Sequence, residues 1–480
     1  MKITIETPVK MRIYADSQSQ VDSLRKMLSF KDKTIEMQIK NLKRNFYLRQ
    51  RYGDEWVENQ LSQLNKQLIK TVLFEDEYGL WTYPGLVNRI KVTFGCQVEN
   101  NVAYPQPKLI PWNEIPKYSM YYYQEAAVER LLENPHSHVS LPTGSGKSIV
   151  ITNLVKKLGL KTIVIAPSSS ICDQLHEDLI KAFGKKNVGM YGGSKKQYDK
   201  KIVVATAQSL VRVTEDSESF KHISSFDAMI FDECHLTPAN TFEKVCHDLL
   251  SKVPYRWFTT ATPERNDGKN TLLEAIIGPC VYFKTIQELQ EEGFLAKLST
   301  LMIEVGSPNP EYNSNNMVKM NQVHLYNNET IARIIADMAE KAVNAGMPTL
   351  ILVDEHNQEH LLKKHMRTGY QYASGDSDVT QICEDFNKGK IMCVVGTSAV
   401  STGTNFLPVR LTINWQGNRA GTKVKQGPIG RSTRIHAASG KTEAKIVDFI
   451  IKDVPPLRNH AMVREGYYKE VGPVTRTEIT

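Results

Sequence analysis

The sequence predicts an α/β protein made of two tandem parallel-sheet domains preceded by a small α+β domain. Two repeated rhythms and one break in composition carry this reading. HVSLPTG, KTIVIAP, KIVVATA, DAMIFDE and YRWFTTATP each read as a β-branched strand that ends in a loop, with amphipathic segments between them. That alternation is the pattern of a parallel sheet flanked by helices. PTLILVDE, YQYASG, IMCVVGTS, VRLTINW and EAKIVDF repeat it further on, and SPNPEYNSNN (Ser307 to Asn316) reads as a surface loop between the two series. The front of the chain differs: a strand (MRIYAD), a polar helical stretch, and a strand-rich run through Tyr78 to Phe94. The predicted domains are residues 1–113, 114–297 and 298–480. PQPKLIPWNEIP (Pro105 to Pro116) carries four prolines, a stiff connector across which few contacts need run.

Composition narrows the function classes. With 480 residues, 41% of them hydrophobic, the chain can bury several cores. No apolar run approaches the ~20 residues of a membrane span, and Met1 to Ile13 lacks the apolar stretch of a signal peptide, so the cytoplasm is the expected location. The seven cysteines are scattered without a C-x-x-C pair, which argues against a disulfide framework and a zinc cluster. Net charge is +8, and residues 1–113 hold 17 Lys/Arg against 12 Asp/Glu. A polyanionic partner fits this excess; an ordinary solvated surface accounts for it equally well.

The strand ends carry the chemistry, since ligands of parallel sheets bind beyond the carboxyl ends of the strands. LPTGSGKSIV (Leu141 to Val150) leads a strand through a small-residue turn, Thr143, Gly144, Ser145 and Gly146, into a helix, so backbone N–H groups can cradle phosphate. Lys147 can reach the outer phosphates and Ser148 can hold Mg²⁺. Leu141 stands where this motif normally opens with a small residue. Taken alone, the stretch is also compatible with a glycine-rich turn before a helix. IFDECH decides the matter: Asp232 can bind Mg²⁺ and Glu233 can orient the attacking water, the acidic pair that phosphoryl transfer requires opposite a phosphate loop.

From these residues the chain resembles the superfamily 2 helicases and translocases. YYYQEAAV is similar to the adenine-reading motif, with Gln124 as reader; LPTGSGKS resembles motif I, IAPSSSICDQL motif Ia, ATAQSL the T-x-Q strand end, DECH motif II and TTATPERNDG motif III. In the second series TLILVDEHNQEHL resembles motif IV, GTSAVSTGTNF motif V and QGPIGRSTR motif VI. The front domain, the LPT opening and the compact second domain look most like the phage UvsW-type recombination helicases. The resemblance implies two RecA-like motor domains and an ATP- and Mg²⁺-dependent DNA helicase. Such an enzyme unwinds or branch-migrates forks, D-loops and Holliday junctions in phage replication, recombination or repair, in the host cytoplasm and with 3′ to 5′ polarity. A translocase that moves on duplex DNA without separating strands, and an RNA helicase, remain as alternatives.

Carried over residue by residue, the resemblance implies that Lys147, Ser148, Asp232 and Glu233 work at ATP together with Gly403, and that Arg431 and Arg434 cross a cleft as arginine fingers. Ser168, Gln174, Thr206, Gln208 and Thr397 sit at positions that touch the nucleic-acid backbone, and Thr260 and Thr262 at positions that couple the two sites. Gln426 departs from the family, preceding Gly430 by one residue more than the Q-x-x-G-R-x-x-R spacing.

Three stretches stay open at this level. KNLKRNFYLRQRYG interleaves Lys43, Arg44, Arg49 and Arg51 with Phe46, Tyr47 and Tyr52. It is either a DNA contact, cations for phosphates and rings for bases, or a solvated helix face with its rings in the core. INWQGNRAGTKVK (Ile413 to Lys425) offers either a strand-separating wedge or a plain hairpin. His356-Asn357-Gln358-Glu359-His360 fits a zinc-protease pattern, but its place after a strand favours a solvent-facing helix start.

Overall fold

The computed structural model describes residues 1–108, 119–237, 239–261, 268–375, 377–397, 400, 405–417 and 421–479. Thr262 and Gly403, residues 109–116 of the connector, and residues 418–420 of the Ile413–Lys425 loop lie outside them. By contacts the chain divides into two compact units, Met1–Leu141 with Lys147–Phe283, and Pro142–Gly146 with Lys284–Thr480.

The first unit contains two sheets. Its larger one runs Lys195–Lys196, Val188–Gly192, Ile202–Thr206, Thr162–Ala166, Ala228–Phe231, Tyr255–Thr260, His136–Ser140 and Cys280–Phe283, parallel throughout except at the first pair. The central strands are buried along their whole length, as expected where helices cover both faces of a parallel sheet. Register places Ser140 opposite Thr260 and Phe231 opposite Phe258. The Tyr255–Thr260 strand therefore lies between the strand that feeds the phosphate loop and the strand that ends in the acidic pair. All five strands expected in this series are present.

The front domain has its own five-stranded sheet, ordered Phe74–Asp76, Gly79–Thr82, Lys10–Tyr14, Lys2–Thr7 and Gln97–Asn100. The strand-rich reading of Tyr78 to Phe94 holds only for Gly79–Thr82; Val87–Phe94 is a helix. Its β-branched residues suggest a strand, but Leu86 and Ile90, one helical turn apart, are the fully buried pair, and Pro84 opens the segment. Three helices, Lys33–Arg44, Phe46–Tyr52 and Asp54–Leu68, form an arm rooted on the antiparallel ribbon Ser29–Lys31 and Ile69–Thr71.

The expectation that few contacts join the front domain to the first motor domain is overturned. Ala275, from the helix Asn270–Ile277 of the parallel-sheet domain, is buried within the front domain's core cluster, and Leu272 packs against it. A Cβ on Gly85 would lie 2.3 Å from the Ala275 carbonyl oxygen, so only glycine permits this approach. The Tyr83 ring lies 3.9 Å from that of His247, and its hydroxyl donates to Glu243 at 2.8 Å. Asp32, buried at the N-cap of the arm's first helix, lies 3.3 Å from Lys269 Nζ. Proline in a connector predicts stiffness along the chain but says nothing of the surfaces on either side.

The second unit is a fully parallel seven-stranded sheet in the order Gln371–Ala373, Cys393–Gly396, Thr349–Val353, Leu411–Trp415, Glu443–Ile451, Lys297–Val305 and Val474–Glu478. Its core holds a buried polar network in which Asp448 accepts from Arg464 at 2.8 Å, from Tyr468 Oη at 2.7 Å and from Asn414 at 2.8 Å. The predicted class, two tandem parallel-sheet RecA-like domains behind a small α+β domain, is the observed one. No described helix is long and apolar enough to cross a membrane.

Candidate active site

The strand His136–Ser140 runs through Leu141 to Gly146 into the helix Lys147–Leu158. Gly144 and Gly146 adopt φ of +90° and +83°, a region that side chains disfavour, which turns the loop sharply enough for successive N–H groups to converge. Ser145 Oγ donates to the Pro142 carbonyl at 2.7 Å. Leu141 is fully buried; its N–H donates to the Thr260 carbonyl at 2.9 Å, and its own carbonyl accepts from Lys147 Nζ at 3.1 Å. The residue that departs from the usual motif thus tethers the loop to the neighbouring strand through its backbone, a role that any side chain allows.

Asp232 follows the last residue of the Ala228–Phe231 strand, and Glu233 takes the left-handed conformation at φ 44° and ψ 44°. This is a strained backbone for a residue with a Cβ, of the kind found where geometry serves chemistry. Glu233 Oε1 lies 2.9 Å from Lys147 Nζ, while Oε2 accepts from the Ala261 N–H at 3.2 Å and lies 3.5 Å from His235 Nδ1. His235 Nδ1 is in turn 2.7 Å from Thr260 Oγ1. Asp232 Oδ1 accepts from Thr259 Oγ1 and, at 3.0 Å, from the Glu233 N–H. All of these side chains are buried.

The two carboxylates are driven apart. Burial, then the neighbouring Glu233 charge, raises Asp232 to about 6 against the opposing pull of Lys147. Burial also works against ionisation of Glu233, but Lys147, His235 and the Ala261 N–H outweigh it and hold this carboxyl below its usual range. Lys147 sits on Glu233, leaving Asp232 with a partly uncompensated charge. A divalent cation beside Asp232 would supply the missing positive charge, and Ser148, next to Lys147 and partly exposed, offers an oxygen. The donor set fits Mg²⁺ and the phosphates of a nucleotide. Gln124 is buried; its Oε1 accepts from the Tyr121 N–H at 2.9 Å and so closes a capping box on the helix Tyr122–Glu133.

In the second unit Arg431 is buried and Arg434 partly so. Burial, then the charge of Arg434, lowers Arg431 to about 9; burial lowers Arg434 to about 10. Arg434 Nη1 donates to Asn405 Oδ1. Asn387 holds the same segment twice, donating from its amide to the Asn405 carbonyl at 2.7 Å and accepting from the Leu407 N–H at 2.9 Å. Lys441, fully buried, donates to the Leu407 carbonyl at 3.3 Å, and burial followed by repulsion from Arg434 lowers it to about 7. Among the described residues neither Arg434 nor Lys441 forms an ion pair. The group is a cluster of buried and partly buried cationic side chains, the kind of arrangement that suits an anion. Before it, Lys425–Ile429 winds as a wider π-turn broken at Gly427, and a turn of that kind absorbs one extra residue, the one by which Gln426 departs from the family spacing.

Of the DNA-contact candidates, Ser168, Thr206 and Thr397 lie at or just beyond strand ends, whereas Gln174 and Gln208 lie in helices. Ser168 caps the helix Ser169–Phe183, Thr206 caps Ala207–Leu210, and Thr397 follows the Cys393–Gly396 strand; Gln174 is partly exposed and Gln208 exposed. On the arm Lys43, Arg44 and Arg51 are exposed, whereas Arg49 pairs with Asp54 at 3.0 Å and Glu58 at 3.8 Å. His356 and His360 open the helix His356–Lys363, where His356 bonds Tyr372 and the His360 side chain is exposed. Among the described residues no group of three or more His, Cys, Asp or Glu side chains is placed to hold a metal ion.

Lys147, Asp232, Glu233 and Thr260, each named from the sequence, lie in one buried network in the structure. Sequence reasoning missed Thr259, Asn387, Asn405 and Lys441 as site residues. The first had a legible signal, since period-two alternation turns Thr259 and Thr260 to opposite sides of a strand end. The other three depend on loops that meet only in space.

The family profile described as "Type III restriction enzyme, res subunit" matches residues 117–265. The "DNA 3'-5' translocase XPB2" of Sulfurisphaera tokodaii is 32% identical over 189 residues, 39% of this chain and 41% of that protein. The "ATP-dependent DNA helicase uvsW" of Enterobacteria phage T4 is 24% identical over 355 residues, 69% of this chain and 68% of that protein. Among solved structures, a fragment of a putative HsdR subunit of a type I restriction enzyme from Vibrio vulnificus shares the fold with a TM-score of 0.55 at 17% identity, over 77% of this chain and 69% of that one. The chain thus spans less than half of the translocase and about two thirds of the phage helicase.

Proposed function

We propose that this chain, a member of superfamily 2 of the helicases and translocases, hydrolyses ATP to move along DNA in the 3′ to 5′ direction and so unwinds or branch-migrates branched DNA with single-stranded regions. The observation that carries the ATPase reading is the continuous buried network from Lys147 through Glu233, His235 and Thr260, with Asp232 held by Thr259 beside it. The branched substrate rests on the likeness to the phage helicase and on the basic, ring-bearing arm.

Lys147 exchanges its Glu233 partner for the outer phosphates of ATP, which frees Glu233 to orient the attacking water. Mg²⁺, held by Asp232 and Ser148, would supply charge that neutralises the phosphates. The loop N–H groups around Gly144 and Gly146 hold the phosphate chain, and Arg431 and Arg434 stabilise the charge that develops on transfer. Because Glu233 also accepts from Ala261 and faces His235, a change at its carboxylate reaches the Thr259–Ala261 strand end directly. That strand end couples hydrolysis to the DNA-facing loops at Ser168, Gln174, Thr206, Gln208 and Thr397.

Movement on duplex DNA without strand separation is the second reading, favoured by the likeness to the translocase of Sulfurisphaera tokodaii. One panel separates them: ATP turnover with forked DNA, linear duplex, single-stranded DNA or RNA as activator, alongside strand displacement. Forks should stimulate most and be unwound. Equal stimulation by linear duplex without displacement supports the second reading, and stimulation by RNA alone overturns both.

A further inference from the structure

The arm's small core joins Ile39 of the first helix to Val57 and Leu61 of the third, with Ile35, Leu42, Leu64 and Leu68 partly buried against them, while the helix Phe46–Tyr52 between them contributes no buried residue. At the end away from its ribbon, the arm exposes rings that a helix of this kind normally turns inward. Phe46 is 69% exposed, Tyr47 62%, Tyr52 47% and Trp56 38%. Three of them form a row with a cation. The Arg51 guanidinium lies 6.0 Å from the Tyr47 ring and 5.2 Å from the Tyr52 ring, and the Tyr52 and Trp56 rings are 4.8 Å apart at 30°. Arg51 also donates to Tyr47 Oη at 3.4 Å, which holds the row in register. A guanidinium over aromatic rings organises them without burying them, and much of the surface of these residues stays exposed.

The surroundings select the occupant. Lys43 and Arg44 are exposed at the adjoining turn, and among the described residues neither is in an ion pair. A groove of about 790 Å³ on the same helices is lined by the donors Lys43, Arg49, Ser62, Asn65 and Lys66 beside Glu58. Rings that stack and cations that meet phosphate are the two requirements of a flexible polyanion with exposed aromatic bases. The root of the arm touches the motor: Asp32 pairs with Lys269, which follows directly on the Thr259–Gly268 stretch.

We propose that Tyr47, Arg51, Tyr52 and Trp56 form a stacking platform for unpaired bases of single-stranded DNA, with Lys43 and Arg44 on its phosphates. The proposal deepens the reading of the chain as a DNA motor and rests on it.

The test uses the full chain with an oligothymidylate and a blunt duplex of equal length. The emission of Trp56, taken as the difference between the wild type and Trp56→Phe, should change on adding the oligothymidylate. Tyr52→Ala and Trp56→Ala should bind it roughly five- to tenfold more weakly, the loss expected for one base stack, while duplex binding is nearly unchanged. Tyr52→Phe should bind as the wild type does. Arg44→Gln should lower the salt dependence of binding, and the ring substitutions should not. An unresponsive Trp56, or wild-type affinity in a folded Tyr52→Ala, overturns the platform. So does self-association of the chain that Tyr52→Ala abolishes without affecting the oligothymidylate, since the face would then be a protein interface. If DNA fails to stimulate ATP hydrolysis while Trp56 still responds, the motor reading falls and the platform stands; stimulated hydrolysis with a silent Trp56 gives the reverse.

Discussion

Lys147 Nζ lies 2.9 Å from Glu233 Oε1, and both side chains are about nine-tenths buried. The cation that must meet phosphate and the carboxylate that must orient water therefore neutralise each other until a nucleotide competes. Lys147→Ala should abolish DNA-stimulated ATP hydrolysis and leave DNA binding largely intact. It should also lower the melting temperature, because removing one partner of a buried pair leaves the other charge uncompensated, at about 3–5 kcal/mol in well-buried cases. Lys147→Ala with Glu233→Gln should melt higher than Lys147→Ala alone. Glu233→Gln by itself should still bind ATP but turn it over slowly, trapping a tight DNA complex visible as a lower Kd with ATP present.

Mild acid should weaken the enzyme through Asp232. Its carboxyl is raised to about 6, so protons compete with the metal there, and ionised Asp232 dominates only at higher pH. The Mg²⁺ concentration for half-maximal ATP turnover should rise by up to about tenfold per pH unit below that value and be nearly flat above it. Stability runs in the opposite sense. A pKa raised by folding contributes stability that is fully present below the unfolded value and is lost as pH rises through the folded one. Melting of the ligand-free protein at fixed low ionic strength, with Asp232→Asn as reference, isolates this contribution from that of Glu233, whose lowered pKa acts the other way.

Arg431→Ala and Arg434→Ala should each reduce turnover by at least about tenfold, the scale for losing one charge-stabilising donor. Asn405→Ala should lower kcat in the same direction with little change in KM, since Asn405 holds the Arg434 guanidinium. Gln426→Ala should be mild. Steady-state ATP kinetics on a saturating fork check all four. A severe Gln426 defect beside a silent Arg431 would show that the π-turn shifts the functional register by one residue.

Removing residues 1–113 should yield a motor of poor solubility, because it uncovers Ala275 and Leu272. Gly85→Ala is the finer probe. Its Cβ would meet the backbone of Ala275 and Glu274 at 2.3–2.8 Å, so it should destabilise the front-domain contact by about 1–3 kcal/mol. Thermal melting and limited proteolysis between residues 100 and 120 would register the loosening. A Gly85→Ala protein with wild-type melting and protease resistance would mean that the domain stays attached by other means.

Much of this protein is legible from its chain. The five strands predicted in each parallel-sheet domain all exist, and the central ones, such as Thr162–Ala166, Ala228–Phe231 and Thr349–Val353, are the unbroken apolar runs that a strand buried on both faces requires. Among the strands not expected from the sequence are Val188–Gly192, Cys280–Phe283, Lys297–Val305 and Val474–Glu478, although the edge strand Gln371–Ala373 was expected. Cys280–Phe283 and Val474–Glu478 are edge strands with no buried residue, so their pattern has little contrast; Val188–Gly192 is buried throughout but carries two glycines. The phosphate loop and the acidic pair were also legible, since each sits within a few residues of a strand end and its chemistry depends on local order.

Only the tertiary structure decided the rest. That Lys147 rests on Glu233, that Thr259 holds Asp232, and that Asn387 and Asn405 brace Arg434 all follow from which strands and loops become neighbours, which sequence spacing does not encode. The docking of the front domain was invisible for the same reason: Gly85 and Ala275 meet across 190 residues of chain, and neither carries a side chain whose type announces a partner. The arm's rings complete the contrast. Sequence left Tyr47 and Tyr52 suspended between core and surface, and the fold exposes them: the arm's interior is built by the helices on either side, from Ile39, Val57 and Leu61 with Ile35, Leu42, Leu64 and Leu68 against them, and the helix Phe46–Tyr52 adds no buried residue to it.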